Sequence, residues 1–247
     1  MTSTLDQAPE PAGDASFFSA LMENIMTGSM IPKVQIERAV GPLIGYFLAD
    51  VLSQMLGQHI VMLCPEFPIK KSRSGLRAQD GEKTTRQSTN IDWLMFNADR
   101  KELVFVELKT TDTTFNPSQA AIYKELLASI RDRQSAKFLY EEVEEIRGAS
   151  TEKGKYRYVL GMLEKRLPGG KPQLFECQNA QVIYLAPQTC KPAYWADSYP
   201  YPEWTWLSFS DLPATINHPH AEQWSILRQN LLPLDKLSRG MRNKPTA

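Results

Sequence analysis

Apolar residues recur at helical spacing between Gln35 and Leu56. Ile36, Val40, Leu43, Ile44, Phe47, Leu48, Val51, Leu52 and Met55 fall on one side of a 3.6-residue repeat. The pattern predicts a helix that Gly57 stops and Gly41-Pro42 kinks. A shorter helix is predicted over Ser16 to Met26. The period then changes. His59 to Ile69, Asn90 to Phe96 and Glu102 to Lys109 read as strands, and Asn97-Ala98-Asp99-Arg100-Lys101 has the composition of a turn. Lys70 to Thr89 is polar and reads as a long loop. In Asn116-Pro117-Ser118-Gln119, Asn suits the N-cap, Pro the first helical position and Gln the capping box. The helical pattern runs from there to Ile146 with a break near Ser135. Lys155 to Arg166 is another helix, ended by Leu167-Pro168-Gly169-Gly170. Gln173 to Cys177, Gln181 to Ala186 and Trp204 to Phe209 read as strands, and Ala221 to Leu231 as a closing helix. The order α-β-β-β-α-(α)-β predicts an α/β fold with a mixed central β-sheet flanked by helices. Residues 1–15, rich in Ser, Thr, Pro, Asp and Ala, read as a tail. Residues 16–247 read as a single domain, with a core over 35–187 and a C-terminal extension over 188–247.

Composition narrows the function. The chain has 247 residues, 42% hydrophobic and 23% charged, enough to bury a core. Lys plus Arg and Asp plus Glu are each 28, so formal charge cancels. This argues against a uniformly basic nucleic-acid coat and against a polycation for membrane surfaces, while permitting a local basic groove. The first basic residue is Lys33, so no secretory n-region is expected. Ala39 to Ala49, the longest uncharged run near the apolar maximum, has eleven residues, where a span needs about 20; no membrane partner is expected. Three cysteines without CxxC spacing point to a reducing, cytoplasmic setting. Three histidines without HExxH argue against zinc hydrolysis. There is no GxSxG or GxGxxG, and Gly148 to Lys155 has the wrong spacing for a phosphate loop. Carboxylates, lysine and an oxygen-liking metal remain.

The predicted hairpin brings such groups together. A four-residue loop, Ala98 to Lys101, pairs Asn97 with Glu102 and so sets Asp92 opposite Glu107. Directly opposed β-carbons are about 4.5–5.5 Å apart, and like charges so placed repel. The fold must protonate one carboxyl or neutralise both with a cation. A one-residue slip leaves them offset but near enough to share an ion. Lys109, two residues after Glu107, leaves the same strand face, and the Leu108 carbonyl is a further oxygen. This set suits Mg²⁺ or Mn²⁺, which polarise a phosphoryl oxygen and acidify water. A lone E-x-K on a strand is ordinarily a surface ion pair. Here it follows Leu103-Val104-Phe105-Val106, apolar on both faces as in a central buried strand, where charges need partners or a function.

Asp92, then fourteen residues, then Glu107-Leu108-Lys109 resembles the D…(D/E)xK signature of the PD-(D/E)xK nucleases, with Ile91 where the name has Pro. Gln119-Ala120-Ala121-Ile122-Tyr123 is similar to the QxxxY motif of the RecB-like branch. The resemblance spans about residues 35–187. It implies a restriction-endonuclease-like αβββαβ core, with Gln181 to Ala186 as the fourth strand, and metal-dependent hydrolysis of phosphodiester bonds in DNA. Asp92, Glu107 and the Leu108 backbone carbonyl would hold Mg²⁺ or Mn²⁺, and Glu37 would supply a further acid. Lys109 would position or activate water, and Gln119 and Tyr123 would shape the site and touch the substrate. Structural roles stand beside these: a first-turn acid for Glu37, a capping-box glutamine and a core tyrosine. Three dispersed cysteines do not suit the iron–sulfur site of some RecB-like enzymes. No helicase motif is present, so a stand-alone nuclease domain is expected. The rivals are a non-catalytic module that binds nucleic acid or protein, and a protein in which the same charges form a buried ion pair. Homo-oligomerisation stays open.

Charge is unevenly distributed. Lys70, Lys71, Arg73, Arg77, Lys83 and Arg86 face only Asp80 and Glu82 in their segment, a local +4, and Arg228 to Ala247 is also +4. Both suit phosphate contacts. Glu141, Glu142, Glu144 and Glu145 read as an acidic helix face pointing away from phosphates. Tyr194, Trp195, Tyr199, Tyr201, Trp204 and Trp206 read as packing or as a partner surface, with base stacking the alternative. His218-Pro219-His220 reads as a surface turn.

Overall fold

β2 (Ser88–Asn97) and β3 (Glu102–Leu108) form the expected hairpin, with Asn97 facing Glu102 and Trp93 facing Val106. The register is the one the turn composition predicts. The computed structural model describes residues 14–28, 36–70, 88–111, 117–190 and 204–236. The strands it describes make a five-stranded mixed sheet in the order β1-β2-β3-β4-β5. β1 (Ile60–Lys70) is antiparallel to β2; β4 (Asn179–Leu185) and β5 (Trp204–Leu207) continue parallel beyond β3. Seven α-helices are described around it: α1 (Asp14–Gly28), α2 (Ile36–Leu56), α3 (Pro117–Arg133), α4 (Lys137–Ala149), α5 (Lys153–Arg166), α6 (Lys171–Phe175) and α7 (Ala221–Leu231). From α2 the order is α, three strands, a helical segment and β4, as predicted. The tail read over residues 1–15 lies almost wholly outside the described residues.

β3 is apolar on both faces because it is covered on both. Leu103 and Phe105 join Leu94, Phe96 and Val182 in a core with α3, α4 and α5. Val104, Val106 and Leu108 join Trp93, Met95 and Ile183 under α2 and α7. α2 buries Ile36, Val40, Ile44, Phe47, Leu48, Val51 and Leu52. Its 21 residues are long and apolar enough, by length and composition alone, to cross a bilayer; here the apolar stripe lies on the sheet. The helix is continuous, with Pro42 inside it.

Gly45 fixes how closely α2 approaches β2. A β-carbon there would lie 2.5 Å from Trp93 Nε1, far inside contact distance. Gly45→Ala must push helix or indole aside, and it is expected to cost about 1–3 kcal/mol, read as a lowered urea midpoint at unchanged slope.

The structure departs from the sequence reading at several points. Gln173 to Cys177 is not a strand; its first residues belong to the short helix α6. Gly169 and Gly170 turn the chain at positive φ (78° and 71°), and Pro172, in the first turn of α6, sets a helical φ and removes a ladder donor. β5 stops at Leu207, because Ser208 to Asp211 fold into a turn. There the N–H groups of Phe209 and Ser210 donate to the buried Asp235 carboxylate at 3.1 and 2.7 Å. Asp235 also accepts from Gln188 N–H at 3.1 Å, tying the C-terminal extension to the chain ends of β4 and β5. The acidic run on α4 is not one solvent face: Glu142 is buried, and Glu145 pairs with Lys70.

Candidate active site

The β2–β3 pairing runs to Trp93 opposite Val106. Continued one step, that register would set Asp92 opposite Glu107. There Asp92 Oδ2 accepts the N–H of Leu108 at 2.7 Å, so a side chain takes a donor at the end of the ladder. On the other side, Pro65 faces Trp93 and Phe67 faces Ile91, which sets Glu66 abreast of Asp92. The three acids thus come from three neighbouring strands. Glu66 itself has a left-handed φ of 49° and accepts from Asn90 Nδ2 at 3.0 Å.

Glu107 is 2% exposed and Lys109 5%. Glu107 Oε1 accepts from Lys109 Nζ at 2.5 Å and from Gln119 Nε2 at 2.7 Å. Its Oε2 accepts from the Tyr123 hydroxyl. Gln119 and Tyr123, four apart on α3, share one helix face. The Gln119 amide is spent on Glu107, which decides between the capping-box and site readings; Asn116 lies outside the described residues. Tyr123 is fully buried, stacked on Phe105 with ring centres 6.2 Å apart and edge-on to Tyr184 and Trp204. Burial first, then the Glu107 charge, hold its phenol well above the ordinary range, so it remains a donor. Burial pulls the Lys109 ammonium down, but the charge and hydrogen bond of Glu107, with Asp92 and Glu37 behind them, outweigh it and raise its pKa. Lys109 stays charged.

Two further carboxyls approach from the open side. Burial, then the Glu107 charge, push Asp92 up to about 8, against the Leu108 N–H and Lys109. Glu37, in the first turn of α2, is also raised, chiefly by burial and then by Glu107 and Glu66, against Lys109 and the Thr110 backbone. Its Oε2 is buried without a hydrogen-bond partner. Glu37 therefore faces the site and is not merely a first-turn acid.

Asp92, Trp93 and Leu108 form the floor of a cleft of about 900 Å³ between α2 and β1. Glu37, Arg38, Gly41, Pro42, Gly45 and Tyr46 line one wall; Met62, Pro65 and Glu66 line the other, with Arg166 of α5. Glu107, Lys109 and Tyr123 are buried beyond this floor. Among the described residues, no three acid, histidine or cysteine side chains stand close enough together to enclose a metal ion as placed. Both oxygens of Glu107 are taken up by Lys109, Gln119 and Tyr123. Leu108 meets Asp92 through its N–H.

The donor set nevertheless has the chemistry of a cation site. Glu37, Asp92 and Glu107 oppose one ammonium, a charge of −2 were every group ionised. A partly buried region does not hold that excess. Without a cation, burial and mutual repulsion raise Asp92 and Glu37 toward their neutral forms. A hard divalent ion would neutralise the excess, and the unpartnered Glu37 oxygen is a free ligand atom.

The proposed phosphate contacts fare unevenly. Lys70 pairs with Glu145, while Lys71, Arg73, Arg77, Lys83 and Arg86 lie outside the described residues, as do Tyr194, Trp195, Tyr199 and Tyr201. Trp204 and Trp206 are buried on β5 against Tyr184, so they pack the sheet. The sequence reading missed Glu66, Arg38, Tyr46 and Arg166. Glu66 carried a signal, as the one acid within an otherwise apolar strand. Comparison of the chain with protein-family models, with curated proteins and with solved structures finds no match.

Proposed function

We propose that the chain is a metal-dependent nuclease of the PD-(D/E)xK type, hydrolysing phosphodiester bonds in DNA. The observation that supports this is the convergence of Asp92, Glu107, Lys109, Gln119 and Tyr123 at one end of β3, beside a cleft into which Glu37 and Asp92 open. Asp92 and Glu37, with Glu107 beyond them and the Leu108 carbonyl nearby, are the groups that would hold Mg²⁺ or Mn²⁺. Such an ion supplies neutralisation of phosphate charge and an acidified water. Lys109, held as an ammonium, orients water or stabilises charge developing on the phosphoryl group. Gln119 and Tyr123 are positioning residues: each donates to Glu107 and fixes its carboxylate. The basic segment 70–86 leads into β2 and is suited to the phosphate backbone.

Saturation of Glu107 by three donors favours a second reading, a structural ion pair. One experiment separates them. Linear, circular and single-stranded DNA are incubated with the protein in Mg²⁺, Mn²⁺ or chelator. Cleavage is expected with either metal and none with chelator. Lys109→Gln keeps a donor for Glu107, so it should lower the rate by about 10²–10³-fold while the circular-dichroism melting curve still shows a folded protein, its midpoint lowered by loss of the buried pair. Intact DNA with both metals excludes the nuclease; DNA retarded yet intact identifies a binding module.

A further inference from the structure

Tyr46 is out of place for a packing residue. Phe17, Tyr46, Leu56 and Tyr158 are the large hydrophobic side chains left exposed among the described residues, and Tyr46, at 58%, is the one that lines the cleft. Its ring is braced by three neighbours: Phe47 lies near-perpendicular to it at 4.9 Å and His218 at 5.3 Å, and His220 is tilted against it at 6.1 Å. His218 is itself fixed, because its Nδ1 accepts the N–H of His220 at 3.0 Å and its ring meets Phe47 at 5.1 Å. The His218-Pro219-His220 turn thus has a role as a buttress, which its sequence did not show. An exposed aromatic ring braced by its neighbours is suited to stacking.

The charges around it select the occupant. Arg38 and Tyr46 lie on the same helix wall, eight residues apart, about 12 Å along the axis. That is the rise of three to four stacked bases at ~3.4 Å each. Arg166 stands on the opposite side of the cleft. Glu37 and Asp92 lie at the Arg38 end. Two guanidiniums that can hold phosphates, an exposed ring that can hold a base and acids at one end match a strand whose bases are unstacked from any partner.

Resting on the nuclease reading, we propose that Tyr46 stacks on a nucleobase of an unpaired DNA strand lying in the α2–β1 cleft, one end of that strand being presented to Asp92 and Glu37. A continuous duplex has its base faces covered and gains nothing from this ring, so the platform selects single strands or frayed ends.

The test measures binding apart from turnover. Fluorescein-labelled single-stranded oligodeoxynucleotide is titrated in chelator against wild type, Tyr46→Ala, Tyr46→Trp and Arg38→Ala, with fluorescence anisotropy as readout. A closed-end duplex hairpin serves as the second probe. Tyr46→Ala is expected to weaken single-strand binding by about 5- to 150-fold, the range one stacked base contributes. Tyr46→Trp should keep or tighten it, and the hairpin should respond to Arg38→Ala but not to Tyr46→Ala. The ring is exposed, so these variants keep the fold; a circular-dichroism melt confirms it. Equal single-strand affinity for wild type and Tyr46→Ala, with Arg38→Ala weakened, overturns the stacking role and leaves the nuclease reading standing. Wild type that neither binds nor cleaves DNA overturns both.

Discussion

Glu107→Ala is expected to cost about 3–5 kcal/mol of stability and to remove cleavage, with Glu107→Gln losing cleavage at a smaller stability cost. The alanine variant strips three donors of their acceptor at once. Lys109 is left 5% exposed without its ion pair, the worst case for a buried charge. The fully buried Tyr123 hydroxyl and the Gln119 amide are left unsatisfied, at about 1–3 kcal/mol for such a group. The glutamine variant keeps the shape and one carbonyl acceptor. It also removes the second-largest influence raising Asp92, so Asp92 ionises at lower pH and becomes the counter-charge for Lys109. Urea unfolding orders the three proteins, and carbon NMR of the Asp92 carboxyl follows its titration. Stability of Glu107→Ala equal to that of wild type would show that Lys109 is not held by Glu107.

The parts of this site that were legible in the sequence are those governed by local geometry. A four-residue turn fixes a hairpin register, and with it the partner of Asp92. A two-residue spacing puts Lys109 beside Glu107, and a four-residue spacing puts Gln119 over Tyr123. What was missed depends on register between elements far apart in the chain. Glu66 reaches the cleft that Asp92 also lines through the β1–β2 pairing, which crosses a polar segment of no fixed length signature. Arg166 reaches the cleft because α5 packs beside β1. Which donors occupy Glu107 was also hidden, because motif spacing gives the neighbours of a carboxylate but not the direction its oxygens turn. The strand misread at Gln173 to Cys177 failed for a local reason. Its apolar residues Leu174, Phe175 and Cys177 suit a short strand, but Pro172 and the positive-φ Gly169 and Gly170 impose a turn of helix that those residues do not reveal.

Without metal, the stability of the wild-type protein is expected to fall as pH rises from about 4 to about 8, and Asp92→Asn is expected to remove most of that fall. Asp92 titrates at about 8 in the folded chain and near 3.9 when unfolded. Between those values the folded state binds one proton more than the unfolded state, so the slope of unfolding free energy against pH is negative, about 1.4 kcal/mol per pH unit for one full proton. The contribution is complete below pH ~3.9 and is lost as pH rises through the folded value. Glu37, also raised, acts with the same sign. Lys109 does not contribute in this window: its raised pKa stabilises the fold below about 10.4 and is lost only above that. Asparagine at position 92 can still accept the Leu108 N–H, so the variant should exceed wild type in stability near pH 8 in chelator. Mn²⁺ should reverse the order, because it binds the ionised carboxyls of the folded wild type. At a hundredfold over its Kd it adds about 2.7 kcal/mol and releases protons as it binds. Urea unfolding at pH 5, 6, 7 and 8, in chelator and in Mn²⁺, measures all four quantities. Parallel profiles for wild type and Asp92→Asn would mean that Asp92 is already ionised in the folded protein, so the site would hold its excess negative charge without needing a cation.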